Sequence, residues 1–351
     1  MIDVLKRILR LPLTLLNLAR QPFKVPGYMV TRTLQAWRHG FSLERRQDHT
    51  ANIRRGDILL FATLRNERVR MPWFLDYYRK LGVSHFLFVD NGSTDGFREL
   101  VADMEDVSVW YTEASYAKAN FGMHWLNGLL RRYGRGHWCV TCDPDEFLVF
   151  PYSDHRNLED LAGFLEAEQR RSFCCVMLDM YSDGPISDAH YREGDDPLAI
   201  TPFFDGVGYV QQPGWLSEIK VQGGVRRRVF FNDNPDSSPS IHKTPFVKWR
   251  WYDNYFLSMH QLVPAYLNVP HAATHDSPTG VLLHFKYFSL LGDKIEEEMT
   301  RGEHWDNSFE YRSYDARFRQ GPLQLYYERS VRYSDWQQLV SLGFMNTGRW
   351  F

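Results

Sequence analysis

Two aspartates stand two residues apart in the run CDPDEFL, at Asp143 and Asp145. Proline disfavours helix in the residue before it, so we expect Pro144 to keep this segment extended. Side chains alternate along an extended chain, which places the two aspartates on one face and Glu146 on the other. Two carboxylates on one face suit a Mg²⁺ or Mn²⁺ ion that holds a diphosphate. Such a pair is also common in solvated acidic turns, so the motif needs supporting context.

A second group of chemically active side chains lies in the late run VLLHFKY. Alternation places His284 and Lys286 on one face of a strand and Leu283 and Phe285 on the other. An imidazole can supply a third metal ligand, and an ammonium can neutralise phosphate charge. A histidine in an apolar strand is equally compatible with a hydrogen-bonded core residue.

Alternating strands and helices from residue 56 onwards must position these side chains. Helices are predicted at 72–81, 120–133 and 157–170, and continuous apolar runs predict strands at 57–64, 85–90, 107–112, 138–143, 174–181 and 281–287. Strands separated by helices of this length predict βαβ units, hence an α/β fold with a mostly parallel central sheet flanked by helices. After about residue 184 we expect an irregular region, followed by a mostly helical C-terminal part.

Three predicted strands end in polar runs, which are TLRNE at 63–67, DNGSTDG at 90–96 and DPDE at 143–146. In open α/β sheets, ligands bind outside the carboxyl ends of the strands, so these runs mark a candidate binding edge. The first strand is not followed by G-x-G-x-x-G, and the sequence contains no G-x-x-x-x-G-K-[ST]. Dinucleotide-binding and P-loop functions therefore lose their main support.

The ordered set of motifs resembles a family of enzymes. The runs RNERVRMPWFLDYYRKLGVSHFLFVDNGSTDG, CDPDEFL and GVLLHFKYFS are similar to blocks of the GT-A fold glycosyltransferases of family 2, in the bacterial branch with RNE, VDNGSTDG and DPDE motifs. The similarity is dense over 57–150 and patchier over 223–290, and it does not cover the first 50 or the last 60 residues. It implies a Rossmann-like GT-A domain that transfers a sugar from a nucleotide-diphosphate donor.

The resemblance also implies roles for particular residues. Asp143 and Asp145 would hold the metal and the diphosphate, with His284 completing the metal shell and Mn²⁺ or Mg²⁺ as the cofactor. The residues implied for the nucleotide sugar are Thr63, Arg65, Asn66, Glu67, Asp90, Asn91, Ser93, Asp95, Asp143 and Lys286. The implied acceptor is a polysaccharide or a lipid-linked glycan.

Inversion at the anomeric carbon, which the resemblance implies, requires a carboxylate to take the acceptor's proton. Because the metal occupies Asp143 and Asp145, the base must come from elsewhere. Asp179 ends the apolar run 174–179, so we expect it at the same edge as the acidic pair, and Asp183 in the following turn is its nearest competitor. An aspartate at this position is also typical of a turn cap.

Several weaker candidates could contact the acceptor or a phosphate. Arg226 and Arg228 are two residues apart after a Gly-Gly pair, Lys243 lies in the run HKTPFVKW, and Trp249 ends that run. A solvated edge strand, a structural lysine and a core tryptophan are the alternative interpretations of these positions.

Charge separates the N-terminal segment from the rest of the chain. Residues 1–55 contain 11 Lys and Arg against 3 Asp and Glu, although the whole chain has a formal charge of −2. A basic N-terminal segment on an otherwise acidic chain argues against nucleic acid as the main partner and favours an anionic membrane surface. Residues 1–20 form an amphipathic pattern that predicts an interfacial helix, with a helix docked on protein or a cleaved signal peptide as alternatives.

The four cysteines at 139, 142, 174 and 175 predict buried, reduced thiols rather than a metal or redox pair. We therefore expect a cytoplasmic protein, peripheral on the inner face of the membrane. The predicted organisation is a leader helix at 1–20, a connector at 21–55, a nucleotide-sugar half at 56–184, an acceptor half at 185–290 and a helical region at 291–351. A nucleotidyltransferase and an inactive sugar- or nucleotide-binding module are the alternative functions.

Overall fold

The structure is a computed structural model that describes residues 43–214, 219–268, 276–303, 305–319 and 321–351. The predicted leader helix at 1–20 and most of the predicted connector at 21–55 lie outside the described residues. None of the helices in the described ranges is long and apolar enough to cross a membrane.

The strands of the described residues are β1 (Glu44–Gln47), β2 (Ile58–Leu64), β3 (Val83–Asp90), β4 (Val107–Tyr111), β5 (Trp138–Thr141), β6 (Glu146–Val149), β7 (Ser172–Asp179), β8 (Phe203–Asp205), β9 (Val210–Pro213), β10 (Ile219–Gln222), β11 (His242–Lys248), β12 (Asn254–Leu257), β13 (Gln261–Val263), β14 (Gly280–His284) and β15 (Ser330–Arg332). The α-helices are α1 (Met71–Lys80), α2 (Phe97–Val101), α3 (Met123–Leu129), α4 (Leu158–Ala167), α5 (Pro197–Ile200), α6 (Leu291–Arg301), α7 (Trp305–Phe318) and α8 (Trp336–Ser341). Two π-helical turns cover Leu130–Gly134 and Arg226–Phe230.

The central sheet has the order β1-β4-β3-β2-β5-β11-β7-β14-β6. The predicted α/β class, with a large sheet flanked by helices, is confirmed. The sheet is mixed, however, and not mostly parallel. Within the described residues, four neighbouring pairs are parallel and four are antiparallel. The antiparallel pairs arise because β11 lies between β5 and β7, while β1 and β6 close the two ends.

The core lies on both faces of this sheet. Along β2, Leu60 and Ala62 pack into one hydrophobic cluster, and Leu59 and Phe61 pack into the cluster on the opposite face. Helices α1 and α4 contribute to the first cluster and α3 contributes to the second. Because both faces are covered, the strand is apolar at almost every position, as expected for a buried parallel strand.

Helix boundaries follow local chemistry. Pro72 lies in the first turn of α1, and Asn157 caps α4 in a capping box with Asp160. The predicted helix at 120–133 is shorter in the structure, because Asn120 and Phe121 have positive φ values of 54° and 56° and cannot join a right-handed helix.

Two predicted regions contribute more to the sheet than expected. The end of the predicted connector supplies β1, which pairs antiparallel with β4 at the sheet edge. The predicted irregular half at 185–290 supplies β11, an interior strand that was not predicted, in addition to β14, which corresponds to the strand predicted at 281–287. The region at 291–351 contains α6, α7 and α8 together with the short strand β15.

Candidate active site

A cavity of about 1270 Å³ opens at the edge of the sheet where β2, β3, β5, β7 and β14 end, which we call the carboxyl edge. The predicted site residues that line this cavity are Thr63, Arg65, Asn66, Glu67, Asn91, Asp95, Asp143, Asp145, Arg226, Lys243, His284 and Lys286. Asp90, Ser93, Asp179, Asp183, Arg228 and Trp249 do not line it. The structure thus brings together most of the residues that the sequence analysis selected.

The acidic motif between β5 and β6 is a tight turn and not an extended segment. The Glu146 amide donates to the Asp143 carbonyl at 3.0 Å, and Pro144 occupies the second position of the turn, which favours proline. The Phe285 amide donates to the Asp145 carbonyl at 2.8 Å and fixes the turn against β14. The expected alternation of faces is therefore wrong, because the turn rotates Glu146 towards the same side as Asp145.

His284 ends β14 and lies between two acidic neighbours in the sheet register. It pairs with Glu146 on β6 and with Asp179 on β7. Its Nδ1 lies 2.6 Å from Asp179 Oδ1, and its Nε2 lies 3.3 Å from Asp145 Oδ2. Ligand atoms of Asp145, Glu146 and His284 all lie within 4.8 Å of one another.

This cluster differs from the predicted metal-binding set of Asp143, Asp145 and His284, because Glu146 replaces Asp143. Two carboxylates and one imidazole fit a Mn²⁺ or Mg²⁺ ion, since hard divalent ions prefer oxygen ligands and tolerate an imidazole. The chemistry of the donor set therefore suits the predicted cofactor.

The charges of this cluster stabilise each other. Burial lowers the pKa of the His284 imidazole, but the Asp145 charge and the hydrogen bonds to Asp145 and Asp179 outweigh burial and leave the pKa above its ordinary value. Burial disfavours the Asp145 carboxylate, but His284 outweighs burial and holds the pKa of Asp145 well below its usual range. An ionised Asp145 is the form that binds a cation, and His284 binds one only after its Nε2 has lost its proton.

Lys243 enters the same cluster from β11. Its ammonium is 2.9 Å from Asp143 Oδ2 and also contacts the Glu146 carboxylate. Although burial opposes the charge, Asp143 and Glu146 raise the pKa of Lys243 above its ordinary value. Burial raises the pKa of Glu146 to about 7, against the attraction of Lys243. Lys243 thus neutralises charge on both Asp143 and the buried Glu146, and Asp145 faces His284.

Asp179 is buried behind the cluster and not exposed to the cavity. Arg226 donates to both of its oxygens, at 3.0 and 3.1 Å, and His284 contacts it from the other side. Burial raises the pKa of Asp179, but Arg226 and His284 outweigh it, so the net pKa is lowered. Asp183 is exposed on a turn outside the cavity. This geometry disfavours both carboxylates as the acceptor's base.

Arg226 and Lys286 share a second carboxylate. Glu310 on α7 lies 3.6 Å from the Arg226 guanidinium and 3.2 Å from the Lys286 ammonium, and it also accepts from Tyr314. Lys286 lies over the Tyr314 ring at 4.6 Å. Burial lowers the pKa of Lys286. Helix α7 therefore fixes the cationic side of the cavity.

The loop after β2 forms the opposite wall of the cavity. Arg65 donates to the carbonyls of Asn91 and Gly92, both at 2.7 Å, which connects this loop to the loop after β3. The Asn66 amide donates to Ser93 Oγ at 3.0 Å. Asp95 accepts from the Arg68 amide at 2.7 Å. These contacts hold the two predicted nucleotide loops side by side.

Asp90 and Ser93 support this wall from behind. The Asp90 carboxylate is fully buried and accepts from the Ser93 amide at 2.8 Å, with Arg98 at 3.3 Å. The predicted contact of Asp90 with a base or ribose does not follow from this geometry, because its side chain points into the loop. The Thr63 hydroxyl is buried and finds no hydrogen-bond partner among the described residues.

Gly122 allows the segment before α3 to approach Thr63. Its φ is +75°, and an added Cβ would lie 2.8 Å from Thr63 Oγ1 and 3.0 Å from the Tyr116 ring. We expect Gly122→Ala to destabilise the fold by about 2–4 kcal/mol, from backbone strain together with overpacking. Denaturant unfolding measures this loss.

Gly136→Ala is the matched control, because Gly136 has a φ of +85° and open space around its Cβ position. Gly136→Ala should lower the free energy of unfolding by only about 1–2 kcal/mol, because it introduces backbone strain without overpacking. Equal losses in the two variants would contradict the proposed close approach of Gly122 to Thr63.

Two of the weaker candidates lie far from the cavity chemistry. Trp249 is buried in the core, with its ring 5.5 Å from Tyr255, so the predicted stacking on an acceptor sugar is wrong. Arg228 donates to both oxygens of Asp205 at 2.8 and 2.9 Å and covers the Tyr327 ring. Its guanidinium is therefore committed to this ion pair outside the cavity.

Helix α6 supplies residues that the sequence analysis missed. Glu297 accepts from Arg65 at 2.9 Å and from Asn66 at 3.3 Å, and Lys294 contacts Glu67. Lys294, Glu297 and Arg301 follow one another at spacings of three and four residues, which places them on one helix face. This charged stripe is the sequence signal that could have identified α6 as part of the cavity wall.

A scan of protein-family models finds none that matches the chain, and a search of curated proteins finds no match.

Proposed function

We propose that this protein is a glycosyltransferase that moves a sugar from a nucleotide-diphosphate donor to a polysaccharide or lipid-linked acceptor, with inversion. One observation carries the proposal. A single cavity at the carboxyl edge is lined by the loop after β2, the acidic turn after β5 and His284 at the end of β14. These belong to the three motif blocks of the GT-A resemblance, and in the fold they converge although they lie far apart in the sequence.

The cavity has the size for such a donor and carries cationic side chains on part of its wall. Its volume of about 1270 Å³ exceeds the ~300–1,000 Å³ of drug-sized sites and suits a nucleotide with an attached sugar. Its wall includes the cationic side chains of Arg65 and Lys286. They offer charge-assisted hydrogen bonds to a diphosphate, which are about twice as strong as neutral ones.

Asp145, Glu146 and His284 would hold the divalent ion. When bound, such an ion would neutralise the charge that develops on the departing diphosphate. The protein's own part is to orient these ligands. Asp179 holds the His284 ring through Nδ1, which leaves Nε2 directed towards Asp145. A carboxylate behind a metal-binding histidine fixes ring orientation in this way.

The decisive experiment is incubation with a panel of nucleotide sugars, with release of the nucleoside diphosphate as the readout. Hydrolysis of one donor, stimulated by Mn²⁺ or Mg²⁺, supports the proposal. Binding of a donor without turnover under any condition indicates an inactive module. Release of pyrophosphate from a nucleoside triphosphate and a sugar phosphate indicates a nucleotidyltransferase. Either of these results contradicts the proposal.

Arg65 gives a specific prediction for donor binding. We expect Arg65→Ala to weaken the affinity for the donor's nucleoside diphosphate about 10–100-fold, since hydrogen bonds from a charged group contribute about 1.5–3 kcal/mol. Arg192 is exposed and lies outside the cavity, so Arg192→Ala is the matched control and should leave the affinity unchanged. Calorimetric titration measures both. An unchanged affinity in Arg65→Ala would place the nucleotide elsewhere.

A further inference from the structure

A cluster of arginines and aromatic residues lies at the edge of the sheet opposite the cavity, where β5 and β7 begin and β11 ends. We call it the basic–aromatic patch, and it consists of Arg131, Arg132, Arg135, Arg171, Arg250, Trp251, Tyr252, Asp253 and Tyr266. None of these residues lines either described cavity. The patch therefore points to a surface contact and not to a small-molecule pocket.

Contacts on the surface join the members of the patch. Arg131 donates to the Trp251 carbonyl at 3.2 Å, and the Trp251 and Tyr252 rings lie 5.5 Å apart in an edge-to-face arrangement. Arg171 lies 5.9 Å from the Tyr252 ring and 5.5 Å from the Tyr266 ring. These contacts connect Arg131 and Arg171 with the three aromatic residues of the patch.

Two large aromatic side chains of the patch face solvent. Trp251 is 62% exposed and Tyr266 is 61% exposed, which makes them two of the most exposed large hydrophobic residues described. Single exposed apolar residues are common, but adjacent exposed aromatics mark a contact surface. Tryptophan and tyrosine are also the residues enriched where proteins meet the lipid headgroups.

The charge of the patch is strongly positive. Its five arginines face one patch carboxylate, Asp253, which binds Arg171 through two hydrogen bonds of 3.0 and 3.1 Å. Arg250 donates to the Tyr252 hydroxyl, a neutral partner. Arg132 and Arg135 are exposed in the segment that leads into β5, at the same edge of the sheet. Arg132, Arg135 and Arg250 are exposed and form no ion pair among the described residues, so the patch presents positive charge next to interfacial aromatic rings.

We propose that the basic–aromatic patch docks this protein on an anionic lipid bilayer. Arginines near an anionic leaflet attract it by about 1 kcal/mol each, and the rings of Trp251 and Tyr266 enter the headgroup layer. Residues 1–55 also carry a net positive charge, so this segment and the patch can contact the same anionic membrane. Two membrane contacts on one chain strengthen each other, because the second forms at a high effective concentration. The eight residues of β7 span about 26 Å, which sets the approximate distance from the membrane to the cavity.

The test is co-sedimentation of the full chain with vesicles of phosphatidylcholine alone and of equal parts phosphatidylcholine and phosphatidylglycerol. We expect the triple variant Arg132→Gln, Arg135→Gln and Arg250→Gln to lower partitioning onto the anionic vesicles about a hundredfold, about fivefold for each arginine. This loss should disappear in concentrated salt, where the Debye length falls to about 3 Å. Trp251→Ala should lower partitioning about tenfold, and salt should not remove that loss.

Arg192→Gln and Phe351→Ala are the matched controls, because both residues are exposed and lie outside the patch. They should partition like the unmodified chain, and unfolding curves of all variants should coincide. Unchanged partitioning of the patch variants would overturn the proposal and leave any membrane binding to the N-terminal segment. Binding of a uronic-acid polysaccharide by the patch, with no patch-dependent vesicle binding, would also overturn it and assign the surface to an anionic glycan.

Discussion

Replacing Asp145 by asparagine should reduce sugar transfer about 10³-fold while leaving the fold intact. The Asp145 carboxylate lies 3.3 Å from His284 Nε2 and within 4.8 Å of the other cluster ligands. A metal ion at a reacting phosphate contributes several kcal/mol, and each 1.36 kcal/mol changes the rate tenfold. Turnover of the donor identified in the panel measures the loss. Calorimetric titration with Mn²⁺ gives a second readout, in which the binding heat should vanish.

Two variants with the same chemical change serve as controls. Asp183→Asn lies on an exposed turn outside the cavity and should keep full activity. Asp143→Asn tests whether Asp143 is a metal ligand, as predicted from the sequence. In the structure Asp143 pairs with Lys243 and lies outside the cluster of Asp145, Glu146 and His284. We expect it to retain Mn²⁺ binding. Loss of Mn²⁺ binding in Asp143→Asn but not in Asp145→Asn would contradict the site as described here.

The strands that carry the nucleotide loops could be predicted closely from the sequence. The apolar run at 57–64 corresponds to β2 at Ile58–Leu64, and the run at 85–90 corresponds to β3 at Val83–Asp90. Both strands are covered on two faces, so their sequences are almost entirely apolar and stand out from their surroundings. Polar residues at their ends were therefore recognisable as an edge of the sheet.

The centre of the sheet could not be predicted in this way. Strand β11 contains Pro245, and proline in a run argues against an interior strand. The structure accommodates it at an irregularity of the ladder with β7, between Lys243 and Phe246. Because β11 was missed, the sheet was expected to be mostly parallel. The position of Lys243 beside the acidic turn could not be derived either.

The turn formed by the acidic motif could not be predicted from the alternation of side chains either. Alternation places Glu146 away from Asp145, but it holds only for an extended chain. The hydrogen bond from the Glu146 amide to the Asp143 carbonyl closes a turn instead and reverses that assignment. The pairing of Asp179 with Arg226 spans 47 residues and depends on the packing of a π-helical turn against β7. No pattern within a single strand or helix specifies such a contact.

Asp179→Asn should destabilise the fold by about 3–5 kcal/mol, because it removes the carboxylate that is hydrogen-bonded to the buried Arg226 guanidinium and leaves only the more distant Glu310, at 3.6 Å. Both side chains of this pair are buried, at 7% exposure for Arg226 and 2% for Asp179. Asp205→Asn is the matched control. Asp205 is equally buried and binds Arg228 through two hydrogen bonds, but the Arg228 side chain is 29% exposed and can turn towards water. Its loss of stability should be smaller. Denaturant unfolding measures both.

The double variant Asp179→Asn with Arg226→Met distinguishes a structural role from a catalytic one. If Asp179 serves to neutralise Arg226 and orient His284, removing both charges should cost less than the sum of the single changes, and Mn²⁺ affinity should fall in each variant that releases His284. If Asp179 were the acceptor's base, Asp179→Asn would lose about 10²–10⁴-fold in turnover with unchanged stability and unchanged Mn²⁺ affinity. The two hydrogen bonds from Arg226 and the contact with His284 leave this carboxylate little capacity to accept a further proton from a substrate, so we expect the first outcome.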